Sequence, residues 1–193
     1  MNNLQLYKEV EMPSLVKEVK DIFPYMDDLS KKLNSNKFLY SVKTINFLNE
    51  NNATYEPFIK IVEKYPFLQK FFRILKIQPN YSLKIHLDGL EKTNLTNYNL
   101  NIPISGCTNE SLTEFYKVKP EHIYTDFKKN TRFIVDGSPI EKIDEYKMTD
   151  NPFLCHTQIP HTVINNSNSY RVSISWAVKK EWNIESILKF LKE

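Results

Sequence analysis

His86 and Asp88 lie two residues apart in YSLKIHLDG, a segment whose alternating apolar residues predict a β-strand. At that spacing the imidazole and the carboxylate leave the same face, while Ile85 and Leu87 leave the other. Far along the chain, His161 follows Pro160 at the start of HTVIN, with Val163 and Asn165 on its face. Two histidines and one carboxylate on a rigid sheet make the facial ligand set of non-haem Fe(II) centres. Such a set holds one side of a metal and leaves open positions for a chelating co-substrate and oxygen. A His-x-Asp pair alone is also what an ordinary polar stripe on a strand produces.

A second group accompanies the first. Arg171 lies ten residues beyond His161, and Arg171, Ser173 and Ser175 share one face of YRVSISWAV, opposite Val172, Ile174 and Trp176. An inward guanidinium grips a carboxylate through two parallel hydrogen bonds and the Ser173 hydroxyl adds a third, which suits the far end of a small dicarboxylate. A buried arginine with nothing to hold is costly. Composition sharpens the point: of 26 basic residues 23 are Lys, and only Arg73, Arg132 and Arg171 are Arg. With 20 Asn besides, this bias suggests an AT-rich coding sequence, in which a retained Arg more often serves where only a planar, bidentate fork will do.

Other candidates carry less. His156, five residues before His161 in PFLCHTQIPH, is an alternative distal ligand, but only His161 has an Arg at the ten-residue step; His156 then reads as structural or near a substrate. His122, in KPEHIYTDF, reads as a turn or surface histidine. Cys107 and Cys155 read as small buried residues; two cysteines outside a CxxC pair build neither a Cys-rich zinc site nor a redox dithiol. Tyr116 and Trp176 read as core aromatics, Tyr116 also as a candidate to line a pocket. Lys128, Lys129, Lys179 and Lys180 read as a solvated face.

Composition bounds the rest. A chain of 193 residues, 41% hydrophobic and 25% charged, has enough apolar residues to bury a core as one domain. A net charge of +3 is too balanced to mark a nucleic-acid binder. Three glycines, Gly89, Gly106 and Gly137, exclude Gly-rich phosphate-cradling loops. The opening MNNLQLYKEVEMPS lacks a basic-then-apolar leader pattern and no run reaches membrane-spanning length, so the expectation is a cytoplasmic protein with no membrane contact.

The elements that must position these residues follow from periodicity. Residues 14–33 and 56–77 space apolar residues at helical intervals around breaks at Pro24 and Pro66, flanking a strand near 37–47. From residue 81 the texture becomes short alternating strands: YSLKIHLD, YNLNIPIS, TEFYKVK, TRFIVDG, HTQIPHTVIN and YRVSISWAV. Polar turn clusters separate them: GLEKTNLTN, SGCTNES, DGSP and NNSNS. NIESILKFLKE closes the chain as an amphipathic helix with Asn183 as its cap. The expected architecture is mainly β with flanking helices: a single domain over 1–193, with helical N-terminal support over 1–80, a β-barrel or sandwich core over 81–178 and a C-terminal helix over 183–193.

Residues 81–178 resemble the Fe(II)- and 2-oxoglutarate-dependent oxygenases, within them the aspartyl/asparaginyl β-hydroxylase-like group with its small viral and bacterial members. The resemblance rests on His86-x-Asp88, NLNIPISGCTNES, His161 and Arg171 in RVS. It implies a double-stranded β-helix of the jelly-roll or cupin-like kind, Fe(II) held by His86, Asp88 and His161, and 2-oxoglutarate anchored by Arg171 and Ser173. The implied reaction uses O2, releases succinate and CO2, and hydroxylates an unactivated C–H bond of an unidentified peptide, protein or small metabolite, a protein Asp or Asn side chain among the candidates. Where that group often carries Arg-x-His, this chain has Asn99-x-Asn101; the charge is gone, and Asn101 is left to donate its amide to a co-substrate carboxylate. Two other readings stand beside this one: a cupin-like metal enzyme without 2-oxoglutarate, and a non-catalytic β-barrel binding module whose polar residues form a buried network.

Overall fold

The computed structural model describes residues 5–32, 40–46, 56–88, 97–127 and 131–192. Helix α1 (Pro13–Lys32) runs through Pro24 instead of breaking there. Pro24 is on the solvent side, whereas Leu15 and Val19 are fully buried, with Val16, Ile22 and Phe23 packed beside them. Burial of that stripe offsets the about 3 kcal/mol that an interior proline costs. Helix α2 (Glu56–Lys64) does end before Pro66, but the chain then continues as a strand, β3 (Leu68–Ile77), not as a second helical segment. The helical support expected over residues 1–80 is therefore interrupted by β3 and by β2 (Tyr40–Asn46), both paired into a sheet. LQKFFRILKI satisfies periods of 3.6 and 2 alike, and pairing on both edges decides for the strand.

The remaining strands are β1 (Tyr7–Glu9), β4 (Tyr81–Ser82), β5 (His86–Asp88), β6 (Tyr98–Ser105), β7 (Ser111–Lys117), β8 (Ile123–Asp126), β9 (Thr131–Ile134), β10 (Glu141–Lys147), β11 (Phe153–His156), β12 (His161–Asn165) and β13 (Arg171–Val178). Two antiparallel sheets result: β1-β11-β6-β13-β3-β2, and β10-β7-β12-β5-β9-β8 with β4 also on β12. The segment 156–165, read as one strand, is β12 only over its second half: its first residue, His156, ends β11, and 157–160 form a turn holding Pro160. Strands β1, β8 and β10 fall where no alternation predicts them, β10 because EKIDEYK exposes most of its length to solvent. The turn read from Gly89 onward, the ends of the strand read at 37–47, and Lys128 and Lys129 lie outside the described residues.

The outer face of the six-stranded sheet carries the main apolar core: Phe72, Ile74, Leu100, Ile102, Leu154, Ile174 and Trp176 pack with residues of α1, α2 and α3 (Ile184–Phe190). Trp176 is a core aromatic, its indole N–H donating to Gln69 O at 2.7 Å. Asn183 caps α3 in a reciprocal capping box with Ser186, as its sequence predicts. Because side chains alternate, the same strands turn Arg73, Asn99, Asn101, Arg171, Ser173 and Ser175 the other way, towards the second sheet. Contacts cross the gap: Arg73 and Asn99 reach Asp88, Arg171 reaches Leu112, and the Phe153 ring packs at a tilt against Tyr146.

Candidate metal centre

His86 and His161 are register partners in the β5–β12 pairing, which puts their ring centroids 4.6 Å apart. With Asp88, which leaves β5 on the same face, they offer three ligand atoms all within 4.8 Å of one another. His86 Nδ1 lies 2.8 Å from Lys84 O and His161 Nδ1 lies 2.8 Å from Ile159 O. A carbonyl only accepts, so both Nδ1 atoms carry the proton and both Nε2 atoms present lone pairs, the arrangement that orients ligating imidazoles. Burial, with His86 beside it, pushes the His161 imidazole down to about 4, which keeps that lone pair free at neutral pH.

Asp88 is held by partners from the opposite sheet. Arg73 Nη1 donates to Oδ1 at 3.2 Å and Asn99 Nδ2 donates to Oδ2 at 2.9 Å. Burial on its own raises the Asp88 carboxyl; Arg73, then His86 and His161, outweigh it and hold the group below the ordinary carboxylate range. The turn between β11 and β12 ties the strands together, since Asp88 N donates to Thr157 O at 3.1 Å and Gln158 Nε2 to Asp88 O at 3.1 Å. Arg132, on β9, donates in turn to Gln158 Oε1. The His86 and Asp88 side chains remain 14% and 13% exposed, whereas His161 is buried.

Arg171 lies on the inner face of β13, 1% exposed. Its Nη1 donates to Leu112 O at 3.4 Å, no carboxylate among the described residues pairs with it, and its Nε has no acceptor. Ser173 Oγ and Thr113 Oγ1 are likewise buried without a partner. Burial lowers the guanidinium from its ordinary value, with the neighbouring Cys107 partly offsetting it. The orphaned Nε of this buried cation and the two orphaned hydroxyls suit an acceptor-rich anion: each oxygen of a carboxylate accepts two hydrogen bonds. The residues present thus fit both a divalent metal and an anionic chelator.

The other candidates disperse. Asn101, 6% exposed, lies two residues beyond Asn99 on the same face of β6, and Ser175 is its register partner on β13. His156 is absent from the three-ligand group; its Nδ1 accepts from Gln158 N at 3.2 Å and its ring meets Tyr98 edge-on. His122 closes a single 3₁₀ turn, and Cys107 and Cys155 are both buried. Tyr116 does not line the pocket: Thr113 and Phe115 take the inner face of β7, leaving Tyr116 on the other side, where its hydroxyl donates to Glu114. Sequence reasoning missed Arg73, Asn99 and Thr113. The rarity of Arg is the one signal that marked Arg73; Asn99 is singled out only as half of Asn99-x-Asn101, without a role at Asp88, and nothing in the sequence marks Thr113.

No protein-family model and no curated protein sequence matches this chain. Among solved structures, the chain is similar to a Pseudomonas putida prolyl-4-hydroxylase, at a TM-score of 0.51 and 9% identity over 93% of this chain and 95% of that one. AviO1 from Streptomyces viridochromogenes gives a TM-score of 0.47 at 12% identity, covering 90% of this chain and 87% of that one. A 2OG-Fe(II) oxygenase-family oxidoreductase from Burkholderia pseudomallei gives 0.47 at 10% identity, covering 89% and 91%. The first likeness is one of fold, and the fold is the double-stranded β-helix.

Proposed function

We propose that this chain is a non-haem iron oxygenase that couples oxidative decarboxylation of 2-oxoglutarate to hydroxylation of a second substrate. One observation carries the reading: a His-Asp-His group with His161 buried, and a buried arginine with no carboxylate partner among the described residues, face the same space between two sheets. His86, Asp88 and His161 would hold Fe(II) through Nε2, a carboxylate oxygen and Nε2. Iron bound there, with 2-oxoglutarate and O2, supplies the oxidising power for C–H hydroxylation, succinate and CO2 being the co-products.

The chain's own residues do the placing. Arg171, Ser173 and Thr113 would donate to the distal carboxylate of the co-substrate, and Asn101 would offer an amide on the same inner surface. Lys84 O and Ile159 O keep each imidazole in the tautomer that presents Nε2. Phe115, Tyr146, Met148 and Phe153 form an apolar cluster between the sheets that excludes water. Similarity to a prolyl-4-hydroxylase supports hydroxylation as the reaction class, and the sequence resemblance makes a protein Asp or Asn side chain the first substrate to test.

The test is anaerobic titration with Fe(II) followed by 2-oxoglutarate. We expect a visible charge-transfer band that needs both components, then succinate on admitting O2. A chain that binds metal without a 2-oxoglutarate-dependent band is the cupin-like alternative; one that binds neither is a structural barrel.

A further inference from the structure

We propose that Asn99 is a positioning residue for the metal centre, acting with Arg73 to fix the plane in which Asp88 presents its carboxylate; the proposal rests on the metal-binding reading above. Asp88 is the one anionic member of the ligand group, and both of its oxygens already accept a hydrogen bond from the opposite sheet: Oδ1 from Arg73 at 3.2 Å, Oδ2 from Asn99 at 2.9 Å. Two donors on two different oxygens fix the carboxylate plane, which one donor leaves free to rotate. The backbone is held as well, through Thr157 O and the Gln158 side chain.

The two oxygens are not equivalent. Oδ1 is the one that faces the ligand partner, 3.7 Å from His86 Nε2. Each oxygen has two lone-pair directions, so Oδ1 keeps one for a metal after Arg73 has used the other. Oδ2 accepts from Asn99 at 2.9 Å, which sets the rotation of the carboxylate about its bond to Cβ. Asn99 is suited to this because its amide adds a donor without adding charge: a second cation beside Arg73 would oppose a divalent ion directly. Its place on β6, next to β13, ties the carboxylate to the strand that carries Arg171.

The experiment is anaerobic titration of the full chain with Co(II) alone, reading affinity and the visible ligand-field bands, which report coordination number. Two variants separate hydrogen bonding from packing: Asn99→Ala removes side-chain volume and donor together, and Asn99→Leu keeps the volume but not the donor. We expect both to lose about 10–100-fold in Co(II) affinity, the usual loss for a partner of a metal ligand, and both to change the ligand-field bands. Circular dichroism confirms the folded state of each. Wild-type affinity and bands in Asn99→Leu overturn the proposal, since packing alone then accounts for Asn99. Failure of the wild-type chain to bind Co(II) overturns the metal reading itself, and the proposal with it.

Discussion

His161 stands directly opposite His86 across the β12–β5 pairing, and that single register contact brings ligands from distant parts of the chain to a ring separation of 4.6 Å. A one-residue slip of either strand would turn one imidazole to the outer face. The turn between β11 and β12 guards the register: Ile159 O holds the His161 ring, while Thr157 and Gln158 hold Asp88.

Removing a ligand should therefore abolish metal binding without unfolding the chain. We expect His86→Ala, Asp88→Asn and His161→Ala each to weaken Mn(II) binding by more than the about 10–100-fold that loss of a supporting partner costs. His156→Ala should bind normally, because His156 bonds Gln158 N and lies outside the ligand group. Anaerobic calorimetry with circular dichroism checks this. A His156→Ala variant that loses the metal while His161→Ala retains it would reassign the distal ligand.

Arg171→Lys keeps the charge and loses the fork. Affinity for 2-oxoglutarate should fall by about 1–3 kcal/mol, the range for a hydrogen bond to a charged group, with metal affinity little changed. Ser173→Ala should lose less in the same direction. Unaltered 2-oxoglutarate affinity in Arg171→Lys would refute the assignment of the anchor.

Thr113→Val tests whether the orphaned hydroxyl is there for a ligand. A buried hydroxyl without a partner costs about 1–3 kcal/mol, so the near-isosteric valine should raise the thermal midpoint of the ligand-free protein. The same change should weaken 2-oxoglutarate binding. If stability rises and affinity is untouched, Thr113 has no part in the anchor.

Glycine substitutions should separate two kinds of backbone constraint. Gly137, at φ +80°, has open space where a Cβ would go, so Gly137→Ala should cost only the about 1–2 kcal/mol of a left-handed alanine. Gly106, at φ +62°, would place a Cβ 2.1 Å from Tyr170 O, beside the start of β13. Gly106→Ala should be much the more damaging in urea unfolding; equal costs would mean that the backbone around Tyr170 yields.

The edge strand β1 gives a pH test remote from the metal. The Asn151 amide holds the Glu9 carboxyl below its usual range against the pull of burial, and the Tyr146 and Thr149 hydroxyls add to the effect. A carboxyl depressed on folding adds stability that is complete above its unfolded pKa and lost as pH falls through the folded one. Glu9→Gln should therefore lower the urea midpoint at pH 7, and the difference from wild type should shrink on acidification through the carboxylate range. A difference independent of pH would mean that the charge plays no part.

Local periodicity by itself determined which faces the chemistry lies on. Period two places His86 with Asp88, and Arg171 with Ser173, whatever the rest of the chain does, and Asn183 marks the start of α3 because its cap is made within four residues. Tertiary structure decided the rest. LQKFFRILKI fits a helix or a strand, and only its pairing with β2 and β13 turns Arg73 inward to Asp88. Tyr116 and Phe115 are neighbours of like composition, and only the packing of β7 tells which one faces the pocket. Asn99 and Thr113 carry no local signal, since a hydrogen bond to Asp88 or a missing partner depends on what the other sheet brings across the gap. Distances between strands far apart in sequence come from register and sheet order, which hydrophobic patterning limits but does not choose.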